Sequence, residues 1–175
     1  IAYVTRGPGA CHASVGVHIA FQDSTPMILL VGDISRNLRD REAFQEVDFK
    51  SFFSPISKWV AEINDPDRVP EYINRAFSLA TSGRPGPVVL VTPEDMLTQA
   101  TKAKARSFNP VIQGEMPQKG LDAFIRKFKK AKKPLFIIGG SGWTDRSCDN
   151  FHNFVTENSL PVTTSFRRQD LLDHK

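Results

Sequence analysis

Only two cysteines, Cys11 and Cys148, occur in the chain, far apart and with no metal-ligand spacing around either. Neither a disulfide framework nor a cysteine-based metal site follows from such a pattern, and two reduced thiols in a cytoplasmic protein are the simplest reading. Long apolar runs are missing too. The longest, from Met27 to Val31 and from Leu135 to Ile138, fall far short of the roughly 20 residues a membrane-crossing helix needs, so no membrane partner is expected. HExxH, CxxC, GxSxG and a phosphate loop ending in GK[ST] are all absent, which removes the common signatures of zinc hydrolysis, thiol redox chemistry, serine nucleophiles and P-loop nucleotide binding. His12 and His18 are six apart and do not share a helix face as a metal pair would, so each is expected to pack or cap. Charge is only mildly one-sided, with 23 Lys and Arg against 19 Asp and Glu for a net +4. The surplus sits in RKFKKAKK, Arg126 to Lys133, where Leu121, Phe124, Ile125 and Phe128 recur at helical spacing. This pattern predicts an amphipathic helix laid against a core with a solvated basic face, and without basic-aromatic interleaving it predicts no nucleic-acid partner.

What is present is an alternation of short apolar runs and helical patterns. Strands are predicted at Ala2–Thr5, Met27–Val31, Trp59–Ile63, Leu135–Ile138 and Pro161–Thr164, and helices at Ala10–Phe21, Lys119–Lys132 and around Asp149–Asn158. A short helical piece is predicted around Phe49–Phe53 after an irregular stretch over Ser35–Phe44. NDPDRVPEYINRAFSLATSG reads as a helix capped by Asp65 or Asp67, with Val69, Ile73, Ala76, Phe77 and Ala80 as its apolar stripe and Gly83 as its stop. GPVVLVTP is continuously apolar between prolines, as in a parallel strand buried on both faces. Residues 98–118 lack any sustained period and read as a linker. The expected fold is α/β: a doubly wound parallel-sheet domain, incomplete, followed by the start of a second Rossmann-like α/β domain. Because the chain opens at Ile1 in a strand already under way and closes on LLDHK with its last unit unfinished, it is expected to be a fragment of a longer polypeptide.

Gly7-Pro8-Gly9 stands between a β-branched run and a predicted helix with no charged side chain at hand. Glycine lets a ligand approach the main chain and proline fixes the turn, so the motif implies a surface rather than a catalytic group. GGSGW, Gly139 to Trp143, follows a strand but departs from GxGxxG and by itself announces no dinucleotide. The ordered set TRGPGACHAS, FQDSTPMILLVGD, REAFQEVDF, SKWVAEI and ATSGRPGPVVLVTPEDML resembles the thiamine-diphosphate-dependent enzymes, in particular the acetolactate synthase and acetolactate-synthase-like branch.

That resemblance implies an N-terminally truncated pyrimidine-binding domain over 1–97, a linker over 98–118 and a C-terminally truncated start of the central domain over 119–175. It implies that Gly7, Pro8 and Gly9 lie beside the aminopyrimidine of thiamine diphosphate and that Phe44 and Gln45 face the reaction centre. Read from the residues alone, that pair is a core Phe and a surface Gln. By the same resemblance Arg84, Gly139, Gly140, Ser141, Thr163 and Thr164, with Ser165, contact FAD; read from charge alone, Arg84 caps the helix that precedes it. Cys11 and His12 stand where the family's acetolactate synthases usually carry Thr-Asn. The family's activating glutamate would precede Ile1, and the domain that holds the diphosphate through Mg2+ would follow Lys175. The resemblance thus implies a parent enzyme of branched-chain amino acid biosynthesis, a homo-oligomeric dimer or tetramer. It would decarboxylate a small-molecule 2-keto acid such as pyruvate and ligate the product to a second carbonyl, while the isolated fragment is inactive. Another thiamine-diphosphate lyase or decarboxylase, a non-catalytic nucleotide-binding module and a basic interaction domain remain open as alternatives.

Overall fold

Every residue of the strand β4, Pro87–Pro93, is buried, which is what its uninterrupted apolar run requires of a strand covered on both faces. The computed structural model describes residues 1–105, 107, 111 and 114–173. It divides into two compact units, Ile1–Gln113 and Gly114–Lys175. In the first unit β4 is joined by β1 (Ala2–Val4), β2 (Met27–Asp33) and β3 (Trp59–Glu62) in a wholly parallel sheet of order β1-β2-β4-β3. Leu29 is opposite Ala2 on one side and Val89 on the other, and Trp59 is opposite Val88.

The two faces of the sheet carry separate cores, assigned by alternation along the strands. Leu29, Val31, Val89 and Val91 pack with Ala10 and Val17 of α1 (Pro8–Gln22) and with Phe49 and Phe53 of α2 (Phe49–Phe53). Ile28, Val88 and Leu90 pack on the opposite side with Ala76 and Ala80 of α3 (Val69–Thr81) and with Met96 of α4 (Glu94–Leu97). The doubly wound arrangement is therefore present as expected. Helix α3 departs from its predicted stripe. Only Ala76 and Ala80 are fully buried, while Val69, Ile73 and Phe77 are half-buried and line an open apolar groove of about 620 Å³. Asp65, one of the two predicted caps, accepts the amide of Asp67 and opens a 3-10 turn, Pro66–Arg68, ahead of α3. Helix α4 has no counterpart in the sequence reading, being a single turn after the proline that ends β4.

In the second unit β5 (Phe136–Ile138) and β6 (Val162–Thr164) form a parallel pair, with α5 (Gln118–Lys130) and α6 (Asp145–Glu157). Phe128 of α5 meets Phe136 and Phe154 at ring separations of 5.7 and 6.1 Å, and Phe151 meets Phe136 at 5.6 Å. Helix α5 is amphipathic as predicted, yet Leu121, Phe124 and Ile125 remain exposed and none of its residues is fully buried. Helix α6 begins four residues before the predicted Asp149, because Thr144 and Ser147 cap it reciprocally: Thr144 Oγ1 accepts the Ser147 amide and Ser147 Oγ accepts the Thr144 amide. Positions 106, 108–110, 112 and 113 of the expected linker, and the last two residues of LLDHK, lie outside the described residues.

Candidate functional site

In an open parallel sheet the ligand-facing side is the carboxyl edge of the strands. Here that edge is formed by the turn after β1, by Asp33 at the end of β2, by Glu62 at the end of β3 and by Glu94 and Asp95 just beyond β4. A network of arginines ties these ends to the loop that follows β2. Arg6 donates to Glu94 at 2.8 Å, and Ser35 donates to the other oxygen of the same carboxylate at 2.9 Å. Both contacts hold Glu94 below the usual carboxylate range, the hydrogen bond from Arg6 most strongly. Arg36 engages Asp95 through its amide at 3.0 Å and its Nε at 2.7 Å, and it also donates to the carbonyl of Asn64. Arg39 bridges Asp33 at 2.8 Å and Glu62 at 3.0 Å, and the Asp33 side chain is 1% exposed.

The loop so anchored presents the predicted Phe44 and Gln45. Phe44 is 79% exposed and is no core residue, which removes the bland alternative for it. Gln45 is half-buried at φ 65°, and it lies against Gly7. A methyl group built on Gly7 would come within 2.7 Å of Gln45 Cβ and 3.2 Å of its Cγ. Gly7 itself has φ 57° and ψ −113°, a conformation only glycine adopts without strain. Gly9 leaves room for Thr5, whose Cγ2 would be 2.8 Å from an added Cβ, and Pro8 occupies the first helical position and is exposed. The room these glycines provide is thus filled first by the chain's own side chains, a use the sequence did not reveal. Among the described residues the Gln45 amide has no hydrogen-bond partner, so its donor and acceptor are both available. His12 and His18 are exposed on α1 and neither caps it, contrary to the expectation.

Arg84 does cap a helix, but a different one from that predicted. It donates to Ser24 Oγ at 2.8 Å and to the carbonyls of Phe21 and Gln22 at 3.3 and 3.1 Å, at the end of α1. The end of α3, which directly precedes it, is served instead by Lys58, whose Nζ donates to the carbonyls of Leu79 and Ser82. In the second unit Gly139, Gly140 and Ser141 follow β5, while Thr163 and Thr164 lie on β6 in register with Ile137 and Ile138. The Ser165 amide donates to the Ile138 carbonyl at 2.8 Å, and a Cβ on Gly139 would fall 2.0 Å from Ser165 Oγ. These two segments therefore meet at the carboxyl end of the strand pair. Gly140 and Gly142, at φ 76° and 89°, have nothing within 4 Å of an added Cβ, so the main chain of the turn is approachable. Among the described residues no group of three or more His, Cys, Asp or Glu forms a metal cluster, and no helix is long and apolar enough to cross a membrane.

Residues 1–52 match the family model described as thiamine pyrophosphate enzyme, N-terminal TPP binding domain. Over that segment the chain is similar to the thiamine pyrophosphate enzymes. It is 35% identical over 173 residues to the acetolactate synthase large subunit of Buchnera aphidicola subsp. Schizaphis graminum, covering 94% of this chain and 30% of that protein. Against the acetolactate synthase isozyme 3 large subunit of Escherichia coli it is 34% identical, with the same coverage of each. The probable acetolactate synthase large subunit of Methanocaldococcus jannaschii is 42% identical over 170 residues, 92% of this chain and 28% of that protein. The chain thus spans about 30% of the length of the curated relatives it matches. The family match covers β1, α1, β2 and the loop with Phe44 and Gln45, the elements that place Gln45 on Gly7. Sequence reasoning missed the ionic network of Arg6, Arg36 and Arg39. Its trace in the sequence is an acidic residue at the end of two strands, Asp33 and Glu62, and just beyond a third, Glu94.

Proposed function

We propose that this chain supplies the pyrimidine-side surface of a thiamine-diphosphate enzyme of the acetolactate synthase kind, acting on a 2-keto acid such as pyruvate and joining the product to a second carbonyl. The observation that carries the proposal is the seating of the Gln45 side-chain stem against Gly7, with its amide partner-free among the described residues, beside the exposed ring of Phe44 and within the segment that matches the TPP-binding domain. These residues fit a planar, partly polar ring: the exposed Pro8 at the Gly7–Gly9 turn, an apolar face at Phe44 and an unengaged amide at Gln45. Thiamine diphosphate, when bound, stabilises the electron pair left by decarboxylation of a keto acid. The contribution of Gly7, Pro8 and Gly9 is to orient the pyrimidine. Phe44 excludes water from one side of the reacting atoms, and the Gln45 amide hydrogen-bonds the substrate oxygen.

Gly139, Gly140, Ser141, Thr163 and Thr164 would hold FAD at the approachable turn after β5. Mg2+ would bind the diphosphate through residues outside this chain. Residues 1–97 are taken as the pyrimidine domain, 98–118 as the linker and 119–175 as the opening of the central domain. The intact enzyme would be a cytoplasmic homo-oligomer of branched-chain amino acid biosynthesis. The test is to assay the intact protein with thiamine diphosphate, Mg2+, FAD and pyruvate. Acetolactate formation is expected, with turnover reduced about 10- to 100-fold in Gln45→Ala and little change in melting temperature. No carbon dioxide release from any 2-keto acid tried, or a Gln45→Ala variant that melts early but turns over normally, would overturn the proposal.

A further inference from the structure

The loop between β2 and α2 is bent in a way that its own residue types do not favour. Asp40, Glu42 and Gln45 all have positive φ, at 62°, 54° and 65°, and none of them is glycine. Left-handed conformations of ordinary residues persist only where the surroundings over-determine them. Two devices do so here. At the start of the loop Arg39 is clamped between Asp33 and Glu62, at the ends of β2 and β3. At its end the Glu46 carboxylate turns back along the loop. Its Oε1 accepts the Asp40 amide at 2.7 Å and its Oε2 the Ala43 amide at 2.9 Å, while its own amide donates to the Ala43 carbonyl at 2.9 Å. Residues 40 to 46 are thereby closed into a ring, and within that ring Gln45 is pressed against Gly7.

We propose that Glu46 is the positioning residue of this site: its carboxylate locks the 40–46 turn and so fixes where the Gln45 amide points. The proposal rests on the assignment of Gln45 to the reaction centre made above. Glu46 touches no reacting atom and acts only through its neighbour. Charge matters to its action, since each oxygen accepts one amide and a carboxamide would present a donor to one of them. The amides of Asp40 and then Ala43 hold the Glu46 carboxyl below the usual carboxylate range, as such a double acceptor should be.

The experiment compares the intact wild-type protein with Glu46→Gln, Glu46→Ala, Gln45→Ala and the Gln45→Ala/Glu46→Ala double variant. Hydrogen–deuterium exchange of the peptide spanning residues 40–46 is read by mass spectrometry, and turnover is measured with thiamine diphosphate, Mg2+ and pyruvate. Exchange in that peptide is expected to quicken in both Glu46 variants while peptides from α1 and β4 keep wild-type rates. Turnover is expected to fall about 10- to 100-fold in Glu46→Ala, with Glu46→Gln between it and wild type. In the Gln45→Ala background, removing Glu46 should change turnover by less than about twofold. Unchanged exchange in the Glu46 variants overturns the proposal, and so do turnover losses that multiply in the double variant. Wild-type turnover in Gln45→Ala refutes the assignment of Gln45 to the reaction centre instead. Exchange then decides alone: quickening upholds the hold of Glu46 on the loop, and its absence removes it.

Discussion

Replacing Gly7 by alanine tests the central contact of the site without touching any group that does chemistry. Two costs add. The backbone at φ 57° and ψ −113° is open to glycine but strained for an L-residue, at about 1–3 kcal/mol. The new methyl group would lie 2.7 Å from Gln45 Cβ, a backbone-proximal atom that cannot swing aside, and such overpacking costs about 1–3 kcal/mol more. The sum, ~2–6 kcal/mol, is a large share of the ~5–15 kcal/mol a domain of this kind possesses. Urea titration followed by circular dichroism measures it, and Gly16→Ala is the control. Gly16 lies inside α1 with nothing within 4 Å of an added Cβ, so alanine there should stabilise by about 0.5–1 kcal/mol. Because the clashing atom is Gln45 Cβ, truncation to alanine cannot relieve it but Gln45→Gly can. The Gly7→Ala/Gln45→Gly pair should show a coupling of about 1–3 kcal/mol. A Gly7→Ala variant within ~0.5 kcal/mol of wild type, or strictly additive effects in the pair, would refute the seating of Gln45 on Gly7.

Two further outcomes follow from groups away from that contact. Arg84→Ala removes three hydrogen bonds from the end of α1 and should cost roughly 0.5–1 kcal/mol, a loss that shrinks in 1 M salt. Melting curves at low and high salt check this, and a salt-independent loss would mean the guanidinium acts by packing alone. Glu46 has a folded-state pKa below its unfolded value near 4.3, so the unfolded chain binds more protons in the acid range. Its contribution is complete above the unfolded value and is lost as pH falls through the folded one. The stability advantage of wild type over Glu46→Gln should therefore shrink on acidification below about pH 5, and an advantage constant to pH 3 would contradict the sign.

The sequence made some elements plain because the cause was local. The run at Pro87–Pro93 could only be a strand buried on both faces, and Phe49–Phe53 forms the short helix expected of it. Elsewhere the deciding contact was distant. Charge alone sets Arg84 against the helix before it, yet β4 begins beside the end of α1, and its cap partners are 60 to 63 residues away. The pairing of Arg6 with Glu94 and of Arg36 with Asp95 spans 88 and 59 residues, beyond any pattern of spacing. The motifs named both Gly7 and Gln45 but not their contact, since nothing in a glycine's neighbours says which side chain will use the space it leaves. The early start of α6 escaped notice because its cap uses Ser147 where a glutamate or glutamine is the more familiar partner.

Strand β4 has a consequence for how the first unit comes apart. Its successive residues Val88, Val89, Leu90 and Val91 belong by turns to the α3 layer and the α1 layer, so each layer owns alternate positions of one backbone segment. Neither layer can loosen while the other stays intact unless β4 both keeps and loses its ladder to β2 over the same residues. Partial melting that frees one helix face is therefore suppressed, and the amides of β2 and β4 should open only with the whole unit. They would share a single, slowest opening free energy, while β1 and β3, each paired on one side only, fray ahead of them.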